Sequence, residues 1–143
     1  MKRSLAVAAG IGAVLSVGLV APPAAQASGA PTAKQVAKSL GCTQFKKAAL
    51  AKGDKIKSRT RGTCKKSGVT YYVADWGSSS KAKTAVYVMD VILGIFNTKM
   101  ETGIGWSWTV TDNKSLTFGE VQPLPKAMKA AVKRRGGTIK MLG

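Results

Sequence analysis

The chain has no histidine, only two cysteines and only six acidic residues. Each shortage excludes something. Without imidazole there is no Ser-His-Asp or Cys-His nucleophile system, no histidine-based ribonuclease chemistry and no zinc site that needs a His ligand. Two thiols alone cannot complete a four-thiolate site, so no metal or other cofactor is expected. Paired carboxylates, or Ser with Lys, remain chemically available. A second long apolar run is also lacking. The nearest approach, residues 85–96, carries Asp90 and falls short of the ~18 residues that cross a bilayer, so the mature chain is expected to lack a transmembrane segment.

The first 27 residues carry the clearest pattern. Lys2 and Arg3 open the chain, residues 5–20 form an apolar run, Pro22 and Pro23 follow, and Ala25-Gln26-Ala27 supplies a small-residue end. Basic start, apolar middle and A-x-A site in that order predict a cleavable secretory signal over 1–27. The remainder, 28–143, is sized for a single domain. It is expected outside the cytoplasm, secreted and associated with the cell wall or free. Cys42 and Cys64 then have only each other as partners. In an oxidising compartment they predict one disulfide.

Positive charge dominates what is left. Lys2 and Arg3 are the only two of the 23 Lys and Arg that precede residue 28, and all six acids follow it, so the remainder carries about +15. Such a charge predicts attraction to polyanions and self-repulsion, and it is silent about fold. Outside a cell the polyanions are wall polymers, anionic lipid surfaces, acidic glycans and free nucleic acid, the last bound without sequence reading.

Thr32 and Gln35 fit a capping box. Ala33, Val36, Ala37 and Leu40 share a helical face that Gly41 ends. Residues 44–54 suggest a helical turn or a loop edge. Residues 55–61 alternate cations with Ile56, Ser58 and Thr60, which predicts a strand. Residues 62–75 read as a hairpin turning at 66–68. Residues 81–97 predict the main helix, apolar almost all round and therefore deeply buried, with a strand at 84–89 as the alternative. Residues 104–111 read as one strand with Ile104, Trp106, Trp108 and Val110 on the same face. A helix beginning at Pro125 and a strand over 138–142 close the chain. The sum is an α+β fold, a mostly antiparallel four- to five-stranded sheet with helices packed on one face and one disulfide.

The pattern Gly41-Cys42, Gly62-x-Cys64, a strand ending near Trp76, a long helix, Gly105-Trp106 and Gly136-Gly137 resembles a group of small secreted single-disulfide actinobacterial proteins of unassigned function. The likeness runs over nearly the whole of 28–143 and implies compartment, disulfide and architecture. This chain is far more basic than that pattern.

Residues 46–66 concentrate the charge, and Lys55, Lys57, Arg59 and Arg61 would share one strand face. Their spacing, ~6.6 to 6.8 Å between alternate residues, is close to that of phosphates along an extended polymer. They are the candidate polyanion contacts, with charge blunting of an edge strand as the bland alternative. Lys126, Lys129, Lys133 and Arg134 form a second basic patch on the last helix. Asp75 and Asp112 sit at predicted strand ends, where a glycosidase pair would need separations of roughly 5 to 10 Å. The expected function is a non-catalytic module that binds anionic extracellular polymers or surfaces. The alternatives are a secreted antimicrobial or inhibitory effector and a carboxylate-based wall hydrolase.

Overall fold

A computed structural model of the protein describes residues 29–49 and 57–143. The predicted signal over 1–27, and Lys55 with the rest of 50–56, lie outside the described residues. Pro31–Gly143 belong to one compact unit.

The first helix, α1 (Ala33–Ser39), begins at the expected capping box. Thr32 Oγ1 accepts from the Gln35 N–H at 3.2 Å and Gln35 Oε1 accepts from the Thr32 N–H at 2.8 Å. Two donors that a helix start leaves without partners are thereby satisfied. Gly41, at φ 75°, leads the chain out, since a Cβ is disfavoured in that conformation. Strand β1 (Thr43–Lys47) follows where a helical turn or loop edge was expected. It runs antiparallel to β2 (Thr60–Lys66), with an irregularity between Thr43 and Lys46. Gln44 takes φ 54° there. A bulge of this kind hides the alternation on which a strand reading depends.

Strands β2 and β3 (Val69–Asp75) form a seven-rung hairpin. Its two-residue turn, Ser67-Gly68, has positive φ at both positions, the geometry that suits the twist of the flanking strands. Helix α2 (Ser79–Ile95) is capped by the Ser78 side chain and is helical throughout, residues 84–89 included. It ends at Asn97, φ 51°, where the Thr98 N–H returns to the Leu93 carbonyl at 2.9 Å. The segment read as one strand over 104–111 is instead broken at 105–107, where the chain turns between β4 (Lys99–Ile104) and β5 (Trp108–Asp112). The Trp108 ring lies against Gly105, where any Cβ would overlap it. Trp108 is therefore buried and Trp106 exposed, not side by side. The short β6 (Val121–Gln122), α3 (Lys126–Arg134) and β7 (Thr138–Leu142) complete the chain.

The fold is α+β as expected, with seven strands among the described residues rather than four or five. The order runs β1-β2-β3-β5-β4. Strand β4 meets both β5 and β7 at Gly103 and Ile104, so those two flank it on opposite sides. Strand β6 adds the sheet's parallel pairing, at Lys99 and Met100. Strands β1, β6 and β7 each pair with a single neighbour.

Helices cover both faces rather than one. Val73 and Val110 pack with Val36, Leu40, Met128 and Val132, which places α1 and α3 on one side. Ala74, the next residue along β3, packs with Trp76, Ala82 and Ala85 under α2. Adjacent strand residues point to opposite faces, so α2 lies on the other side. Leu93, Val86, Met100 and Leu142 extend that second core. Helix α2 is not buried all round. Tyr87, Val91 and Ile95, spaced along one outward line, are exposed, because α2 lies on a single sheet face and no other described element packs on its back.

The disulfide Cys42–Cys64 joins the end of α1 to the middle of β2, with Cα atoms 5.6 Å apart. It closes a 22-residue separation, for which chain entropy suggests roughly 3 kcal/mol.

Candidate polyanion-binding surface

The four cations expected in one stripe are not arranged that way. Strand β2 begins only at Thr60. Lys57 is exposed and precedes the strand, and Lys55 lies outside the described residues. Arg59 Nε donates to Asp75 Oδ2 at 2.7 Å, and Asp75 is fully buried. Arg61 donates to the Ala49 carbonyl from Nε at 3.0 Å and Nη2 at 2.6 Å, and reaches Tyr72 Oη at 3.5 Å. Two of the four side chains are thus tied to the fold.

Asp75 explains the first of these ties. Its Oδ2 also accepts from Thr60 Oγ1 at 3.0 Å, and its Oδ1 accepts from the Gly77 N–H at 2.9 Å. Thr60 Oγ1 in turn accepts from the Ala33 N–H at 2.8 Å. One carboxylate thereby connects the start of α1, the start of β2 and the lead into α2. A buried carboxylate needs several donors to offset its lost hydration, and this one has them.

A different cationic face is assembled further along β2. Directly opposed residues of paired strands share a face. Arg61 opposes Ala74, Thr63 opposes Tyr72, and Lys65 opposes Thr70. Ala74 and Tyr72 belong to the α2 side, so Arg61, Thr63 and Lys65 do too. Lys46 of β1 opposes Thr63 and joins them. Helix α2 packs mainly over β4, β5 and β7. Among the described residues the β1–β2 end of this face therefore has no helix packed over it, and Lys46 and Lys65 on it are exposed. Lys65 and Lys66, with Gly41, Thr43 and Gln44, also line an open cavity of about 440 Å³ at the hairpin end.

The second patch keeps its expected helical line but not all of its charge. Lys126 and Lys133 are exposed, as is Arg134. Lys129 Nζ lies 2.6 Å from Glu101 Oε2, and Glu101 also accepts from the Leu124 N–H at 2.8 Å. The Lys129 hydrogen bond chiefly holds the Glu101 carboxyl below its usual range, helped by the Leu124 N–H and opposed by burial. Because α3 and α2 lie on opposite faces, the two basic patches do not form one continuous surface.

The carboxylates do not converge. Asp75 opposes Trp108, while Asp112 opposes Tyr71. Four residues of extended strand, roughly 13 Å, separate these positions. Burial, and then the Asp112 charge, push the Tyr71 hydroxyl up. Among the described residues no group of three or more His, Cys, Asp or Glu is placed to hold a metal ion, and no helix is long and apolar enough to cross a membrane.

The alternation that marks this face was present in the sequence: Arg59, Arg61, Thr63 and Lys65 continue it past residue 61. Lys46 carried no such signal, because the β1 irregularity conceals its strand. No family model, curated protein or solved structure matches the chain.

Proposed function

We propose that this is an exported, non-catalytic module that binds extracellular polyanions, wall polymers above all, through the uncovered β1–β2 end of the sheet. The supporting observation is that Lys65 and Lys46 are exposed on one face over which no described helix packs, with Arg61 on the same face held to the Ala49 carbonyl. Lys57, exposed just upstream, adds charge at its end. Export rests on the 1–27 pattern, and the disulfide is compatible with it. A strand face with Arg61 and Lys65 four positions apart on β2, and Lys46 opposite the Thr63 between them, contacts a polymer backbone by charge. Contacts made to a polymer backbone by charge read no sugar or base, so the binding is sequence-independent.

The test is retention on purified cell wall, heparin and DNA across a salt gradient. The variant Lys46→Gln/Arg61→Gln/Lys65→Gln is compared with Lys126→Gln/Lys133→Gln/Arg134→Gln on the opposite side of the sheet. The first should elute at lower salt and show a log-log salt slope smaller by about the number of lost contacts. The second should lose less. Equal losses from both would mean that net charge alone drives retention, and unchanged elution of the first would reject the face.

A further inference from the structure

We propose that the outward side of α2, together with the loop over 113–120, docks onto a bilayer containing anionic lipid. This goes beyond polymer binding. It draws on the protein's positive charge but not on the β1–β2 face having a polymer ligand.

Exposed apolar side chains are ordinary when scattered, but a contiguous patch marks a contact surface. Here they are concentrated. Tyr87, Val91 and Ile95 are 69%, 44% and 73% exposed and follow one another along α2. Beside them, Phe96 stacks edge-on against Phe118, ring centroids 5.2 Å apart. Phe118 is 81% exposed, the most of any large apolar side chain described. It is held out by a loop whose geometry is fixed. Glu120 Oε2 accepts from the Thr117 N–H at 3.0 Å and from Thr117 Oγ1 at 2.7 Å. Between α2 and this loop lies an apolar cavity of about 220 Å³, lined in part by Ile92, Phe96 and Leu116.

The charges around the patch select the occupant. Lys83 and Lys140 line a cavity with Tyr87 on one flank. Lys99 is exposed where α2 gives way to β4, and Lys114 is exposed in the loop. The acids nearby are engaged. Asp90 accepts from the Gly143 N–H at 2.8 Å, and Glu120 holds Thr117. An apolar ridge amid lysines matches the boundary between acyl chains and anionic headgroups, where aromatic and aliphatic side chains enter and cations stay at headgroup level. A second copy fits poorly, since pairing two such ridges would press lysines against lysines in a domain, residues 28–143, of net charge about +15.

The experiment uses the chain without residues 1–27, because Pro31–Gly143 form one unit and the apolar leader would itself partition into lipid. Binding is measured by flotation with vesicles of mixed phosphatidylglycerol and phosphatidylcholine, and with phosphatidylcholine alone. The wild type should float with the anionic vesicles only. Ile95→Ser/Phe118→Ser should weaken that partition about tenfold or more while leaving heparin retention unchanged. A second variant, Tyr87→Ser/Val91→Ser, should behave alike. Both alter exposed side chains, and unchanged circular dichroism and melting temperature verify the fold. Lys46→Gln/Arg61→Gln/Lys65→Gln should lose polymer retention while keeping apolar-dependent flotation, so failure of either reading is visible separately. Equal flotation of the serine variants and the wild type would overturn the proposal. So would a wild-type dimer that the same substitutions convert to monomer without any vesicle binding.

Discussion

Arg59 Nε meets Asp75 Oδ2 at 2.7 Å, with the carboxylate wholly buried and the guanidinium side chain 46% exposed. The pair is asymmetric, and so are its expected deletions. Asp75→Ala removes the acceptor for three donors, Arg59, Thr60 and the Gly77 N–H. It should lower stability by about 3 kcal/mol. Arg59→Gln leaves a buried charge with two remaining donors. It should cost about 2 kcal/mol, below the figure for a fully enclosed pair because water reaches the guanidinium. Urea denaturation of both variants checks the ranking. A loss under about 0.5 kcal/mol for Asp75→Ala would show that the carboxylate does not anchor the three elements.

Removing the covalent link between α1 and β2 should be equally visible. Cys42→Ala/Cys64→Ala is expected to lower stability by roughly 3 kcal/mol. The comparison should be made in one denaturant series with the oxidised wild type. Cys64 is nearly inaccessible while Cys42 is half-buried, so reductant should attack the folded protein at Cys42 and act faster once urea opens both sulfurs.

Acid should release α3 from β4. The Glu101 carboxyl is held below its ordinary value of 4.5, chiefly by the Lys129 hydrogen bond. A carboxylate depressed on folding contributes stability that is complete above that ordinary value. The contribution is lost as pH falls through the lower, folded value. Stability should thus decline below about pH 4.5, and Glu101→Gln should make that acid limb shallower. At neutral pH the same substitution should cost about 1 kcal/mol. An acid limb of unchanged slope would assign the decline to other carboxylates.

Gly62 sets how closely β1 approaches β2. A Cβ there would overlap the Phe45 ring and the Lys46 carbonyl. Gly62→Ala should therefore push β1 outward and destabilise by about 1–3 kcal/mol. Hydrogen exchange should report the largest rise at the β1 amides. Lys46 would be displaced with its strand, so heparin retention should weaken as well.

Much of the fold is legible in the sequence where a local rule acts alone. Thr32 and Gln35 mark the start of α1, Ser67-Gly68 marks a turn, and Gly136 ends α3 at φ 73°. The misreadings share one cause, a signal of the right period extended past a point that only pairing defines. The two-residue turn and the seven residues of β3 together confine β2 to Thr60–Lys66. The cations upstream of 60 therefore could not belong to the same strand. Likewise Ile104, Trp106, Trp108 and Val110 alternate convincingly, yet Gly105 sits under the Trp108 ring and the chain reverses between them. Apolar residues all round α2 suggested enclosure, but periodicity does not say how many neighbours a helix will have. The buried role of Asp75 had no local mark at all, because its donors come from residues 59, 60 and 77 and reach on to residue 33.

Strand β7 has a consequence for the order of events. It is the last element of the chain, and it supplies the whole second side of β4, from Met100 to Ile104. It also brings Leu142 to the cluster beneath α2. Until residues 138–142 arrive, half of the sheet has an open flank and an incomplete interior. Completion of this half of the sheet therefore waits on the pairing of two segments 34 to 42 residues apart in sequence, the kind of distant contact that closes late in folding.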